Sequence, residues 1–107
     1  MNIYQGDQTE IAIKLTDSGG DVITDEAVSK VVVSLGDVIH STTDEENPIT
    51  YDPDTKEWVF ILSQEDTLAM RMGVKPLQAR VKFTDDIVSS ADIATVFILP
   101  SQSTEVL

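Results

Sequence analysis

Trp58 to Phe83, WVFILSQEDTLAMRMGVKPLQARVKF, is the stretch that decides the fold. Trp58, Phe60 and Leu62 fall on one side of an extended chain and Val59 and Ile61 on the other, so both faces are apolar and a strand in the middle of the fold is predicted. Ser63 is a good helix N-cap, Glu65 and Asp66 place negative charge in the first turn, and Leu68 and Met72 are spaced to face the core together. Asp66 stands where Glu or Gln completes a capping box, which predicts a weak or missing second cap bond. Gly73 suits the left-handed residue that closes such a helix. Leu77, Ala79, Val81 and Phe83 then alternate with Gln78, Arg80 and Lys82, the period of a strand with one wet, mildly basic face. Strand, short helix near residues 63–72, and strand together predict a crossover that plugs one end of a sandwich.

The residues upstream fit the same architecture. Ile3 and Tyr4, followed by the turn-forming pair Gly6-Asp7, predict a short edge strand and a corner. From Thr9 to Thr16, Ile11, Ile13 and Leu15 alternate with Glu10, Lys14 and Thr16, as in a half-buried strand. Asp17 to Asp21, DSGGD, combines glycines that tolerate positive φ with acids that bond nearby amides, so a turn is expected. Val28 to Leu35 is rich in β-branched residues and places Val31, Val33 and Leu35 on one face. After Gly36-Asp37 the chain stays extended through Val38 and Ile39. Asp44 to Pro48 is an acidic loop tip, and Asp52-Pro53-Asp54 begins a type I turn, predicting a hairpin from Ile49–Tyr51 into Trp58. Downstream, Asp85-Asp86 turns the chain into a last strand, strongest from Ile93 to Leu99 and stopped by Pro100.

Short strands punctuated by turns predict an all-β fold, an immunoglobulin-like antiparallel β-sandwich with one short crossover helix; an open barrel is the rival. At 107 residues the chain suits one domain, residues 1–100, with a flexible tail from 101 to 107. An antibody-type Cys-Trp-Cys spacing is missing, so Trp58 is read as a core anchor. The chain has no cysteine, which leaves no disulfide and no thiolate metal site.

Nineteen acidic against seven basic residues give a formal charge of −12. Nucleic acid and anionic membranes are therefore disfavoured partners, because each phosphate contact needs Lys or Arg. The start, MNIYQGDQTE, has neither the basic end nor the apolar run of a signal peptide, and no run approaches a membrane span, so a soluble protein is expected. His40, the only histidine, lies beside Ser41, Thr42 and Thr43 with no strained nucleophile motif such as G-x-S-x-G, and no catalytic residue is assigned. Asp17, Asp21, Asp25 and the Asp44 to Glu46 loop offer carboxylates, but not at the spacing of a twelve-residue calcium loop. No cofactor is assigned. A small-ligand or calcium-binding sandwich stays open as the alternative function.

Three segments, IYQGDQTEIAIKLTD, EWVFILSQEDTLAM and PLQARVKFTDD, together resemble small structural proteins of tailed bacteriophages that infect Firmicutes, and the N-terminal modules of phage upper-baseplate proteins. The family's "Y-x-G-D" matches Tyr4, Gly6 and Asp7. Its "L-[ST]-x-E-[ED]-T" matches Leu62, Ser63, Glu65, Asp66 and Thr67, and its "V-x-V-x-[VF]" strand matches Ala79, Val81 and Phe83. Met70-Arg71-Met72-Gly73 departs from the family, where proline or alanine more often precedes the glycine, and leaves the shape of the crossover open. The resemblance implies a non-catalytic tail, baseplate or neck component, synthesised in the bacterial cytoplasm and located in the virion. It also implies that the partners are other phage structural proteins or further copies of the chain. The candidate contact residues are Ile3, Tyr4, Val106 and Leu107.

Overall fold

The computed structural model describes residues 1–101. Eight strands form two sheets packed face to face as an all-β sandwich with one short helix. The larger sheet has the order β1-β8-β7-β3-β4, from β1 (Asn2–Tyr4), β3 (Val28–Leu35), β4 (Val38–Ser41), β7 (Gly73–Phe83) and β8 (Val88–Leu99). The smaller has the order β2-β6-β5, from β2 (Thr9–Ile13), β5 (Thr50–Asp52) and β6 (Glu57–Leu62). Every pairing is antiparallel except that of β1 with β8, which is parallel and makes the larger sheet mixed. The first strand enters beside the last, held by Phe97 N–H to Met1 O and Gln5 N–H to Leu99 O, both 2.9 Å, before the chain crosses to the smaller sheet.

The alternation read from sequence sets the inner faces. Val31, Val33 and Leu35 of β3, Leu77, Ala79 and Val81 of β7, and Val96 and Ile98 of β8 are buried against Ile11 and Ile13 of β2 and Trp58, Phe60 and Leu62 of β6. Trp58 is a core anchor with its indole N–H donating to Ile23 O at 3.2 Å. The Asp17–Asp21 turn forms as expected: Asp17 Oδ1 accepts from the amides of Gly19 (2.9 Å) and Asp21 (3.0 Å), with Gly20 at φ +86°. β6 is the central strand of the smaller sheet, but its outer face is uncovered. Val59 is half-buried and Ile61 is 38% exposed, because β2 and β5 flank β6 and no further layer of described residues lies over it.

The crossover differs from expectation in four respects. Helix α1 spans Gln64–Ala69 after the N-cap Ser63, and the chain is already extended at Met70 (φ −76°, ψ 138°). Gly73, at φ +125°, opens β7 instead of closing the helix. Since α1 ends early, Met70 is the buried methionine and Met72 is 60% exposed, while Leu68 is half-buried. The cap is also stronger than the aspartate suggested. Asp66 N–H donates to Ser63 Oγ and Ser63 N–H donates to Asp66 Oδ2, both at 3.1 Å, so the capping box is complete with the shorter acid.

Thr67, fully buried, joins the crossover to the first corner: its hydroxyl donates to Asp7 O (2.8 Å) and accepts from Gly6 N–H (2.9 Å). The Gln5 side-chain amide donates to Met70 O at 2.7 Å, supplying a partner where the helix has ended. These bonds connect sequence segments about sixty residues apart, so the Tyr4–Asp7 and Ser63–Thr67 segments form one structural unit. Among the described residues, no helix is long and apolar enough to cross a membrane.

Candidate functional site

Burial of alternate residues on β7 and β8 sends the intervening side chains to the outer face of the larger sheet. Val74 lies directly opposite Phe97, Phe97 is opposite Asn2 on its other side, and Tyr4 is opposite Leu99. Tyr4 is 51%, Val74 60% and Phe97 45% exposed. Three adjacent strands thus present two aromatic rings and a valine to solvent, close to the exposed Met72. Aromatic side chains offer a large apolar contact area with little conformational freedom to lose, which suits an interface. Further along the same face, Lys30 stands directly opposite Lys82, and Val32 opposite Arg80. Three of the seven basic residues are gathered there, and like charges in facing positions are destabilising. Lys82 has Asp86 at 3.7 Å as a partner.

Of the candidate contact residues, Tyr4 belongs to this exposed patch, whereas the Ile3 side chain is 4% exposed and packs in the core. Val106 and Leu107 lie outside the described residues. Val74 and Phe97 went unassigned from sequence. The signal for Phe97 was the unbroken apolar run Val96-Phe97-Ile98-Leu99, which leaves an apolar residue on each face of the strand.

His40 is buried on β4, with its ring 5.6 Å from that of Phe60. Nε2 is 2.9 Å from Asp66 Oδ2, while Nδ1 is 3.6 Å from Asp44 Oδ2 and makes no hydrogen bond. The ring is therefore set between two carboxylates. Ser41 Oγ donates to Asp44 Oδ1 at 3.0 Å, and Ser41 N–H donates to Asp44 Oδ2 at 3.0 Å. The geometry braces the 42–48 loop to the start of α1, and among the described residues no nucleophile hydrogen-bonds the imidazole. The Ser41 amide bond holds the Asp44 carboxyl below its ordinary pKa, helped by the Ser41 hydroxyl and His40 and opposed by partial desolvation.

The acidic loops do not converge. Among the described residues there is no group of three or more His, Cys, Asp or Glu able to hold a metal ion, and Asp17 Oδ1 is occupied by two backbone amides. Near the Asp25–Ala27 helical turn, Tyr51 packs on Trp58 with ring centroids 5.0 Å apart. Desolvation, together with Asp25, Asp52 and Glu26, pushes its phenol pKa up.

A groove of about 470 Å³ opens between the end of β2 and the first half of β8, with Leu15, Ile23, Ala79, Val81, Phe83 and Ile93 among its lining. It lies where the smaller sheet ends and the inner face of the larger one continues. Comparison of the chain with protein-family models and with curated proteins found no match.

Proposed function

We propose that this chain is a non-catalytic structural or assembly module of a tailed-bacteriophage virion, in its tail, baseplate or neck, that acts through protein–protein contacts. The observation that carries the proposal is the Tyr4, Val74 and Phe97 patch, placed by strand register on a solvent-facing sheet surface. Tyr4 and the Gly6-Asp7 corner are part of the resemblance to phage structural proteins, and the hydroxyl of Thr67 holds that corner in place. The patch, the Gly6-Asp7 corner and the Ser63–Thr67 cap therefore belong to one end of the sandwich, while the matching Ala79, Val81 and Phe83 run along β7 away from it. The net charge of −12 favours solubility before assembly and turns phosphate-bearing partners away.

The test is capture of the products of neighbouring genes by the purified chain, with masses measured by light scattering. A structural protein encoded alongside the chain is expected to bind. Tyr4→Ser with Phe97→Ser should weaken that binding by about tenfold or more while leaving stability nearly unchanged, as for exposed positions in general. Failure to bind any neighbouring product, or full retention of binding by the double variant, would overturn the assignment of this surface.

A further inference from the structure

β8 is twelve residues long, yet β1 covers its outer side only from Phe97 to Leu99. Along Val88–Thr95 that side has no strand partner among the described residues, while the other side is paired with β7 almost throughout. A long uncovered edge presents unpaired N–H and C=O groups and acts as a template for another strand. Folds usually protect such an edge with lysine, proline, a bulge or a very short strand. β8 has one irregularity, at Ile93, which β7 leaves unpaired between Ala94 opposite Leu77 and Asp92 opposite Gln78; before it come Ser89, Ser90 and Ala91, small side chains that allow close backbone approach, and a single charge, Asp92.

We infer that this edge pairs with the same edge of a second copy of the chain, β8 antiparallel to β8 about a two-fold axis at Ala91. The inference narrows the partner in the proposed function and rests on the reading of the chain as an assembly module. Facing residues in an antiparallel pair share a sheet face, and this axis satisfies that condition from Ser89 to Ile93. Ser90 and Asp92 point outward, as partners of Arg80 and Gln78 on β7; Ser89 and Ala91 point inward, as partners of Val81 and Ala79. With Ala91 opposite its own copy, Ser90 faces Asp92 and Ser89 faces Ile93 of the second chain.

The charges then complement one another in register. A row across the joined sheets reads Arg80, Ser90, Asp92 of the second copy and Gln78 of the second copy, and symmetry repeats it in reverse. Neighbouring strands are about 4.8 Å apart, so Arg80 and the second copy's Asp92 are separated by about 10 Å across a small serine, a span their two side chains cover together. Asp92 Oδ1 already accepts from the Gln78 side chain at 2.8 Å, which orients the carboxylate and leaves Oδ2 for the arginine. No like charges face each other between Ser89 and Ile93, even though each chain carries −12. On the inner face, Ile93 of the second copy comes down beside Ser89 and Val81, at the open apolar groove, and removes its surface from water. The symmetric interface closes on itself and gives one sheet of ten strands.

The absence of cysteine permits a direct test. Cα atoms of facing residues in antiparallel strands are about 4.5–5.5 Å apart, within disulfide range. Ala91→Cys should therefore give a cross-linked dimer on mild oxidation, while Thr95→Cys, four positions from the axis, should not. Sedimentation of the wild-type chain should show a monomer–dimer equilibrium in the micromolar range. Arg80→Asp and Asp92→Arg should each weaken it by about tenfold, and the two together should restore it, since the swap rebuilds both ion pairs. A wild-type chain that remains monomeric, cross-linking equal in the two cysteine variants, or no recovery in the charge swap would overturn the inference. Capture of neighbouring gene products is read separately through Tyr4 and Phe97, so either result can fail without the other.

Discussion

Replacing Asp66 by alanine tests whether the crossover is held as the geometry implies. Asp66 Oδ2 accepts from Ser63 N–H at 3.1 Å and from His40 Nε2 at 2.9 Å. Losing the first bond costs about 1 kcal/mol, the usual net value of a protein hydrogen bond. Losing the second leaves a ring donor without a partner on a side chain only 11% exposed, which adds about 1–3 kcal/mol. The expected total is about 2–4 kcal/mol, or roughly 10–20 °C in melting temperature for a domain of this size. Asp66→Asn keeps an acceptor oxygen and should lose about half as much. Urea unfolding followed by the fluorescence of Trp58, the single tryptophan and 3% exposed, provides the assay. A loss below about 0.5 kcal/mol for Asp66→Ala would refute the claim that this carboxylate ties helix, loop and strand together.

Two further outcomes follow from the same region. Thr67→Val keeps the side-chain shape but orphans Gly6 N–H and Asp7 O; it should cost about 2 kcal/mol in thermal unfolding and speed amide exchange at Gly6. For Asp44, the folded-state pKa lies below the ordinary 3.8, so its stabilising contribution is present above that value and is lost as pH falls through the folded pKa. Asp44→Asn should accordingly flatten the acid limb of stability against pH below about pH 4, measured by chemical denaturation.

The strands were legible because their signal is local. Ile11, Ile13 and Leu15, or Leu77, Ala79 and Val81, declare an inner face through a period of two, and all six are buried. The turns at Asp17–Asp21 and Asp85-Asp86 were equally plain, since glycine or a positive-φ aspartate marks each. What escaped was decided by partners distant in sequence. The i, i+4 spacing of Leu68 and Met72 suggested a longer helix, but the backbone is extended from Met70, whose carbonyl is taken by Gln5. Asp66 looked too short for a full capping box, yet it closes one with Ser63 while the same Oδ2 takes His40, twenty-six residues away. Ile3 and Tyr4 read alike as contact residues, and only the register of β1 on β8 separates the buried one from the exposed one. Val74 and Phe97 form a patch only because β7 and β8 pair there.

The parallel pairing of β1 with β8 bears on how the chain is made. Ile3 can meet Ile98 only after nearly all of the described chain has been synthesised, whereas the β5–β6 hairpin has both of its strands early. Contacts of such sequence separation slow folding, and they leave the larger sheet unfinished while its last strand is still emerging. β1, made first, waits without a partner until Phe97–Leu99 appear, so the end of the larger sheet that carries Tyr4 and Phe97 is the last part of the fold to close.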